Sequence, residues 1–186
     1  MTSKMVEPDR TDLFETCFRP KEAPRLSITV RASARGLRSI NLARASAADA
    51  RCRPASESPV VRKAVRELEG YFLGRIRRFT VPIDWSGLGS DLDVRVWRAL
   101  SRVPHGACVT YGDLAREVGR PLAARAVGGA VGRNPLPIVI PCHRVVGSGG
   151  RLTGFSCGLD FKVLLLELEG FALSASPREA DRLVLA

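Results

Sequence analysis

Residues 110–134, "TYGDLAREVGRPLAARAVGGAVGRN", constrain this chain more than any other stretch, because they prescribe two helices with almost no chain between them. Thr110 is a helix cap by residue type, and Asp113 stands three residues on in the capping-box position, shorter than the preferred glutamate. Gly119, Arg120 and Pro121 then leave a three-residue turn before the second helix. That is a helix-turn-helix pattern, although an ordinary helix hairpin also satisfies it. The second helix is stripped of bulk: Ala123, Ala124, Ala126, Gly128, Gly129, Ala130 and Gly132 surround one long central side chain, Arg125. A glycine inside a helix costs up to about 1 kcal/mol relative to alanine, so two in succession need a reason. Either the helix packs very closely on its own protein, or it approaches the backbone of a ligand. A small-residue helix with one arginine suits a narrow groove better than major-groove reading by long side chains.

The remaining elements divide the 186 residues into two small units. Residues 1–24 are polar and aperiodic, so a loosely held terminus is expected. "RLSITV" and "GLRSINLA" read as strands with Gly36 at the turn between them, and residues 45–58 as a surface loop. "SPVVRKAVRELEGYFLG" carries the apolar stripe Val61, Ala64, Val65, Leu68 and Phe72, with Ser58 as cap, Pro59 in the first turn and Gly74 as stop. "RRFTVPID" reads as one more strand and "WSGLGS" as a linker. The expected divisions are 1–24 as a polar segment, 25–86 as a small α/β domain, 87–172 as a mostly helical domain opening on the Ser90 cap, and 173–186 as a tail. With 45% hydrophobic residues a core forms without metals or disulfides. Five cysteines at irregular spacing, no secretory leader and no apolar stretch of about 18 residues imply free thiols in a reducing compartment.

The formal net charge of +10 favours a polyanionic partner, although a basic face kept for solubility has the same composition. Seven arginines between residues 102 and 151 face only Asp113 and Glu117. Within that basic segment lies "NPLPIVIPCHRVVGSGG", where an apolar Ile-Val-Ile run meets Pro141 and then Cys142, His143 and Arg144. The run reads as a buried strand ended by proline, with the thiol at its terminus. His143 can take the thiol proton directly or through water, and Asp160, Glu167 and Glu169 are candidates to orient the ring. A buried structural cysteine beside a surface histidine is the plainer alternative. Two histidines, at 105 and 143, offer no metal-ligand spacing.

"PCHRVV" preceded by "RNPLPIVI", with "TYGDLAREVG" and "AARAVGGAVG" upstream, resembles the O6-alkylguanine-DNA alkyltransferase family over about residues 92–170. The resemblance implies an RNase H-like N-terminal domain and a winged helix-turn-helix catalytic domain. It implies that Cys142 accepts an alkyl group, that His143 is its water-linked base, that Glu169 orients the histidine, and that Asn134 stiffens the Asn-Pro hinge. Tyr111 would help rotate the nucleotide out and assist the departing guanine, and Arg125 would fill the gap in the base stack. Ala124, Ala126, Gly128 and Arg144 would also meet DNA; Val145, Ser156, Cys157 and Lys162 would line or support the base pocket. The implied partner is duplex DNA bearing O6-alkylguanine, chiefly O6-methylguanine with O4-methylthymine as a further substrate, approached from the minor groove. The chain would act once, as a monomer in the cytoplasm (at the nucleoid in a prokaryote), with no cofactor, no metal and no membrane contact; cooperation between copies on DNA is left open. Two other classes stay open: a non-enzymatic winged-helix protein that recognises alkylated DNA, and a Cys-His hydrolase. Leu92 and Asp93 depart from the family's usual Phe-Gln, and Cys157 stands where the family often has glycine or a larger residue.

Overall fold

The computed structural model describes residues 13–46, 58–173 and 183–185. Most of the expected 45–58 loop, including Cys52, lies outside them. The N-terminal half is a three-stranded antiparallel sheet, β1 (Phe14–Phe18), β2 (Leu26–Ser33) and β3 (Gly36–Arg44), covered by helix α1 (Pro59–Phe72). Alternation drives this: Leu26, Ile28, Val30 and Ala32 on β2 and Leu37, Ile40 and Leu42 on β3 are buried with Val61, Ala64, Leu68 and Phe72 of α1. Ser58 caps α1 as expected, its hydroxyl accepting from Val61 N–H.

Four expectations about this half are corrected. The stretch 1–24 contains β1, paired in register with β2 from Phe14↔Ala32 to Phe18↔Ile28. Gly36 is not in the turn, which is Ala34–Arg35, but opens β3. A Cβ there would stand 2.6 Å from Asp84 N and 2.7 Å from Pro82 O, so only glycine admits the crossing segment. That segment, "RRFTVPID", makes a single parallel bridge, Leu37↔Ile83, rather than a strand; Pro82 accepts from Leu37 N but has no N–H to extend a ladder. Finally, Cys17 is disulfide-bonded, against the expectation of free thiols throughout, whereas Cys108, Cys142 and Cys157 are free.

The C-terminal half is mostly helical. Helix α2 (Asp91–Leu100) starts at a capping box in which Ser90 and Asp93 exchange hydrogen bonds. Its Trp97, buried, donates Nε1–H to Ala130 O at 2.9 Å, fastening α2 to the later helix α4 (Ala124–Gly132). Strand β4 (Val109–Thr110) runs into α3 (Tyr111–Glu117), capped by Thr110 and Asp113 as the sequence indicates. The turn to α4 spans residues 118–123, longer than expected. Gly119, at φ +71°, terminates α3, and Pro121 then sits inside a second turn closed by Ala123 N–H to Arg120 O at 2.9 Å.

The Ile-Val-Ile run is not a strand. Ile140 N–H bonds Leu136 O at 2.8 Å and Pro137 bridges Ile140, reversing the chain within a few residues. Ile138 occupies left-handed backbone at φ +75°, costly for a β-branched side chain. Three flanking prolines remove the donors a strand would need. Beyond it come β5 (Val145–Val146), parallel to β4, then α5 (Leu159–Leu168) and the antiparallel pair β6 (Phe171–Leu173) and β7 (Leu183–Leu185). The expected tail therefore includes a paired strand. One contiguous core joins both halves, and Ile40 N–H on β3 donates to Pro135 O at 2.8 Å, tying the sheet to the reversal. No described helix is long and apolar enough to cross a membrane.

Candidate active site

Cys142, His143 and Arg144 form a single 3-10 turn immediately after the reversal, with Arg144 N–H bonded to Pro141 O at 3.0 Å. All three side chains are buried. The thiol thus sits on a turn welded into the core rather than at a strand end. Asn134 does much of the welding. Its Nδ2 donates to Ile140 O at 2.7 Å and to Cys142 Sγ at 2.9 Å, while its Oδ1 accepts from Leu136 N–H at 3.0 Å. Burial pushes the Cys142 thiol up to about 11, with the Asn134 donor opposing it, so the sulfur rests protonated and needs a base.

The base is built from distant segments. His143 Nε2 lies 2.8 Å from Glu169 Oε1, just past α5, and both side chains are fully buried. An ionised carboxylate only accepts hydrogen bonds, so Nε2 carries the ring proton and Nδ1 holds a lone pair. Nδ1 is buried and has no hydrogen-bond partner among the described residues. Burial holds His143 below its ordinary range despite the carboxylate, leaving the ring neutral and able to accept. Burial alone would raise Glu169, but hydrogen bonds from His143 and Arg144 outweigh it and hold the carboxyl well below the usual range.

Arg144 is a correction. Expected at DNA, its guanidinium is buried and spent inside the protein, on Glu169 Oε2 through Nε at 2.9 Å, on Glu169 Oε1 through Nη2 at 2.8 Å, and on Val103 O through Nη1 at 2.6 Å. An arginine that neutralises a buried carboxylate has no charge left for a phosphate. Of the other orienting candidates, Asp160 pairs with Arg44 at the surface and Glu167 is exposed. Lys162 is buried, held down to about 8 by desolvation, and gives its ammonium hydrogens to Val145 O at 2.6 Å and Thr153 O at 3.2 Å. It therefore clamps the segment after the turn rather than lining an opening. Thr153 Oγ1 in turn meets the Tyr111 hydroxyl at 3.0 Å. Ser156 is exposed and Cys157 half-buried on the approach to α5.

Helix α4 presents Arg125, Ala126, Gly129 and Gly132 to solvent, with Ala124 and Gly128 partly covered. The structure bears on one of the two reasons for its glycines, close packing on the protein. A Cβ at Gly128 would rest 3.5 Å from the Tyr111 ring, an ordinary contact; one at Gly129 would meet only the Arg133 guanidinium, at 3.2 Å; one at Gly132 would meet nothing within 4 Å. Packing against the protein does not demand them. Among the arginines of residues 102–151, four have carboxylate partners: Arg102, Arg116, Arg133 and Arg144. Arg120, Arg125 and Arg151 are exposed and have none among the described residues. A cleft of about 670 Å³ is lined by Arg77, Arg78, Arg102, His105, Pro141 and Arg144 among others, so it borders the turn that carries Cys142. No group of three His, Cys, Asp or Glu side chains among the described residues could hold a metal.

Two buried residues escaped the sequence reading. Asp93, noted in the sequence only as a departure from the family's usual residue, accepts from Arg133 at 2.7 Å as well as capping α2. Tyr71 on α1 donates its hydroxyl to Glu169 Oε1 at 2.8 Å. It lies three residues past Leu68 on the apolar stripe, and a tyrosine there must find a buried acceptor.

Known proteins resemble this chain in sequence and fold. Residues 91–171 fit the family described as 6-O-methylguanine DNA methyltransferase, DNA binding domain. A methylated-DNA–protein-cysteine methyltransferase of Methanosarcina acetivorans is 48% identical over 109 residues, covering 59% of this chain and 69% of that protein. One of Mycolicibacterium paratuberculosis is 50% identical over 106 residues, covering 57% and 63%. The crystal structure of Mycobacterium tuberculosis OGT in complex with DNA superposes with a TM-score of 0.70 at 34% identity, covering 83% of this chain and 92% of that one. The Mycobacterium tuberculosis O6-methylguanine methyltransferase gives 0.68 at 35% identity, covering 84% and 93%. At 48% identity over a span that covers 69% of the Methanosarcina acetivorans protein, this chain belongs to the methylated-DNA–protein-cysteine methyltransferase family.

Proposed function

We propose that this protein repairs DNA by moving the alkyl group of O6-alkylguanine onto its own Cys142. The observation that carries the reading is the buried His143, its Nε2 pinned by Glu169 and its Nδ1 lone pair uncommitted, directly following a protonated thiol held by Asn134. In the reaction the Cys142 proton passes to His143 Nδ1 through a bridging water, and the thiolate attacks the alkyl carbon. The S–C bond forms as the C–O6 bond breaks, and the leaving guanine takes a proton, a step we assign to the Tyr111 hydroxyl. A thioether has no route back to a thiol here, so each molecule acts once and uses no cofactor.

A base stacked in duplex DNA cannot reach a thiol embedded in a core turn, so the nucleotide is flipped out. We assign DNA contact to the exposed face of α4, lying in the minor groove with Ala124, Ala126, Gly128 and Gly129 against the backbone and Arg125 in the vacated stack. Arg120 and Arg151 replace Arg144 as phosphate contacts. Val145, Ser156 and Cys157 border the base pocket, with Lys162 beneath them. In this reading residues 25–86, extended back to β1, form an RNase H-like domain. Residues 87–172 form a winged helix-turn-helix domain in which the Ser148–Arg151 loop is the wing. The protein works as a monomer, in the cytoplasm and, in a prokaryote, at the nucleoid. O6-Methylguanine is its chief substrate.

The test is intact-mass and peptide analysis after mixing the protein with an O6-methylguanine duplex. One added methyl on the Cys142 peptide is expected, absent in Cys142→Ser, which still binds the lesion duplex. Tight binding by the wild-type chain with no mass gain would instead favour the non-enzymatic reader of alkylated DNA.

A further inference from the structure

We propose that Tyr71 is a positioning residue of the alkyl-transfer site: its hydroxyl, delivered by α1 from the N-terminal domain, fixes Glu169 and tempers its charge, and so sets the proton affinity of His143. This rests on the transfer chemistry proposed above, and it assigns a part in that chemistry to a residue outside the 91–171 segment that matches the family model.

The geometry is specific. Glu169 Oε1 receives three donors: His143 Nε2 at 2.8 Å, Arg144 Nη2 at 2.8 Å and Tyr71 OH at 2.8 Å. Oε2 receives Arg144 Nε at 2.9 Å and Gly106 N–H at 3.3 Å. Tyr71 is 1% exposed, and its ring is wedged between Phe72, Phe79 and His105 at centroid distances of 5.5, 5.7 and 6.3 Å. The ring fixes the direction of the hydroxyl, so the donor is preorganised rather than opportunistic. Burial and the neighbouring Glu169 charge hold the Tyr71 hydroxyl far above its ordinary range, and it remains a donor at every working pH.

The consequence is electrostatic. Tyr71 and His143 share one carboxylate oxygen, and each hydrogen bond to it withdraws charge from the other. Arg144 also faces Glu169 directly, while His105, Cys108 and Lys162 stand further out. Arg144 supplies a full positive charge; Tyr71 adds a donor without adding charge. If that donor is removed, Glu169 attracts the imidazolium form of His143 more strongly. The ring then takes a proton from solvent at higher pH and is occupied before the thiol can use it. A tyrosine that contributed only the packing of its ring would have no such effect.

The experiment uses the full chain labelled with 15N-histidine. There are two histidines, and His105→Gln assigns them. In Tyr71→Phe the titration midpoint of His143 is expected to rise by about half to one pH unit. The acid limb of the single-turnover methyl-transfer rate should move by the same interval. The His105 resonance should stay in place and report that the ring packing survives. A folded Tyr71→Phe chain in which neither the His143 midpoint nor the acid limb moves overturns the proposal, whatever its melting temperature. If Tyr71→Phe does not fold, 3-fluorotyrosine supplies the same ring with a stronger donor; the His143 midpoint should then fall, and an unmoved midpoint overturns the proposal equally. Because the titration needs no substrate, it decides the role of Tyr71 separately from whether methyl transfer occurs.

Discussion

Gly129→Ala should make this protein more stable and worse at its work. Gly129 lies within α4, exposed, one turn beyond Arg125 on the same face. Replacing an interior helical glycine with alanine gains about 0.8–1 kcal/mol through the unfolded chain's lost freedom. The new methyl would meet only Arg133 Nη1, at 3.2 Å. That guanidinium is more than half exposed and holds Asp93 at 2.7 Å. A displacement of a few tenths of an ångström weakens, without breaking, an interaction worth no more than about 1 kcal/mol, so the net gain is up to about 1 kcal/mol. For a chain of this size the melting temperature should rise by up to about 4 °C. On the DNA side the methyl stands between α4 and the backbone it approaches. Separating the two surfaces should weaken binding to an O6-methylguanine duplex by about tenfold, or about 1.4 kcal/mol. Calorimetry and fluorescence-anisotropy titration on one preparation give both numbers. A stabilised variant with unchanged affinity would refute the assignment of this face to the groove. A destabilised one would refute the claim that packing leaves room for a side chain.

Other perturbations separate the remaining parts. Asn134→Ala orphans the buried Leu136 N–H, leaves Ile140 O with Cys142 N–H alone, and removes the donor to Cys142 Sγ; at about 1–3 kcal/mol per orphaned group, denaturant unfolding should show a loss of about 1–3 kcal/mol, and alkylation by iodoacetamide should show the thiol titrating at higher pH than in the wild type. Arg125→Ala should slow single-turnover repair far more in duplex than in single-stranded DNA, with Arg125→Leu recovering part of the duplex rate; equal losses on both substrates would reduce Arg125 to a phosphate contact. Glu169 is held below its unfolded value, so its contribution is complete above the unfolded pKa of about 4.3 and drains away as pH falls beneath it. Urea unfolding of the wild type should therefore weaken steadily below that pH. Glu169→Gln should be less stable at neutrality but flatter across the acid range, and an equally steep acid loss in the variant would contradict the assignment.

Local chemistry was legible where one short segment decides the outcome. Ser58, Ser90 and Thr110 cap the helices assigned to them, because a cap needs only its own side chain and the next turn. The cysteine, its histidine and the orienting glutamate were also readable, the last through the family resemblance rather than through spacing. What failed was conformation set by distant contacts. Ile138–Ile140 has the composition of a strand, yet the flanking prolines and the sheet's bond at Pro135 fold it into a reversal. Arg144 looks like any basic residue near DNA until Glu169 arrives from 25 positions away. Tyr71 meets the same carboxylate across 98 positions, a pairing no local pattern encodes.

Those separations also give the site a birth order. The chain emerges from the ribosome N-terminus first, at about 5–20 residues per second. The β2–β3 hairpin and α1 are therefore complete before Cys142 exists, and Ile40 and Tyr71 await partners still unmade. Cys142, His143 and Arg144 follow, but the carboxylate that receives Tyr71, His143 and Arg144 comes only at position 169. Until it emerges, His143 has no acceptor to fix its tautomer and the guanidinium has no countercharge to draw it inward. A nascent or truncated chain carries an ordinary cysteine, so a protein that can act only once is not armed until the segment bearing Glu169 is in place.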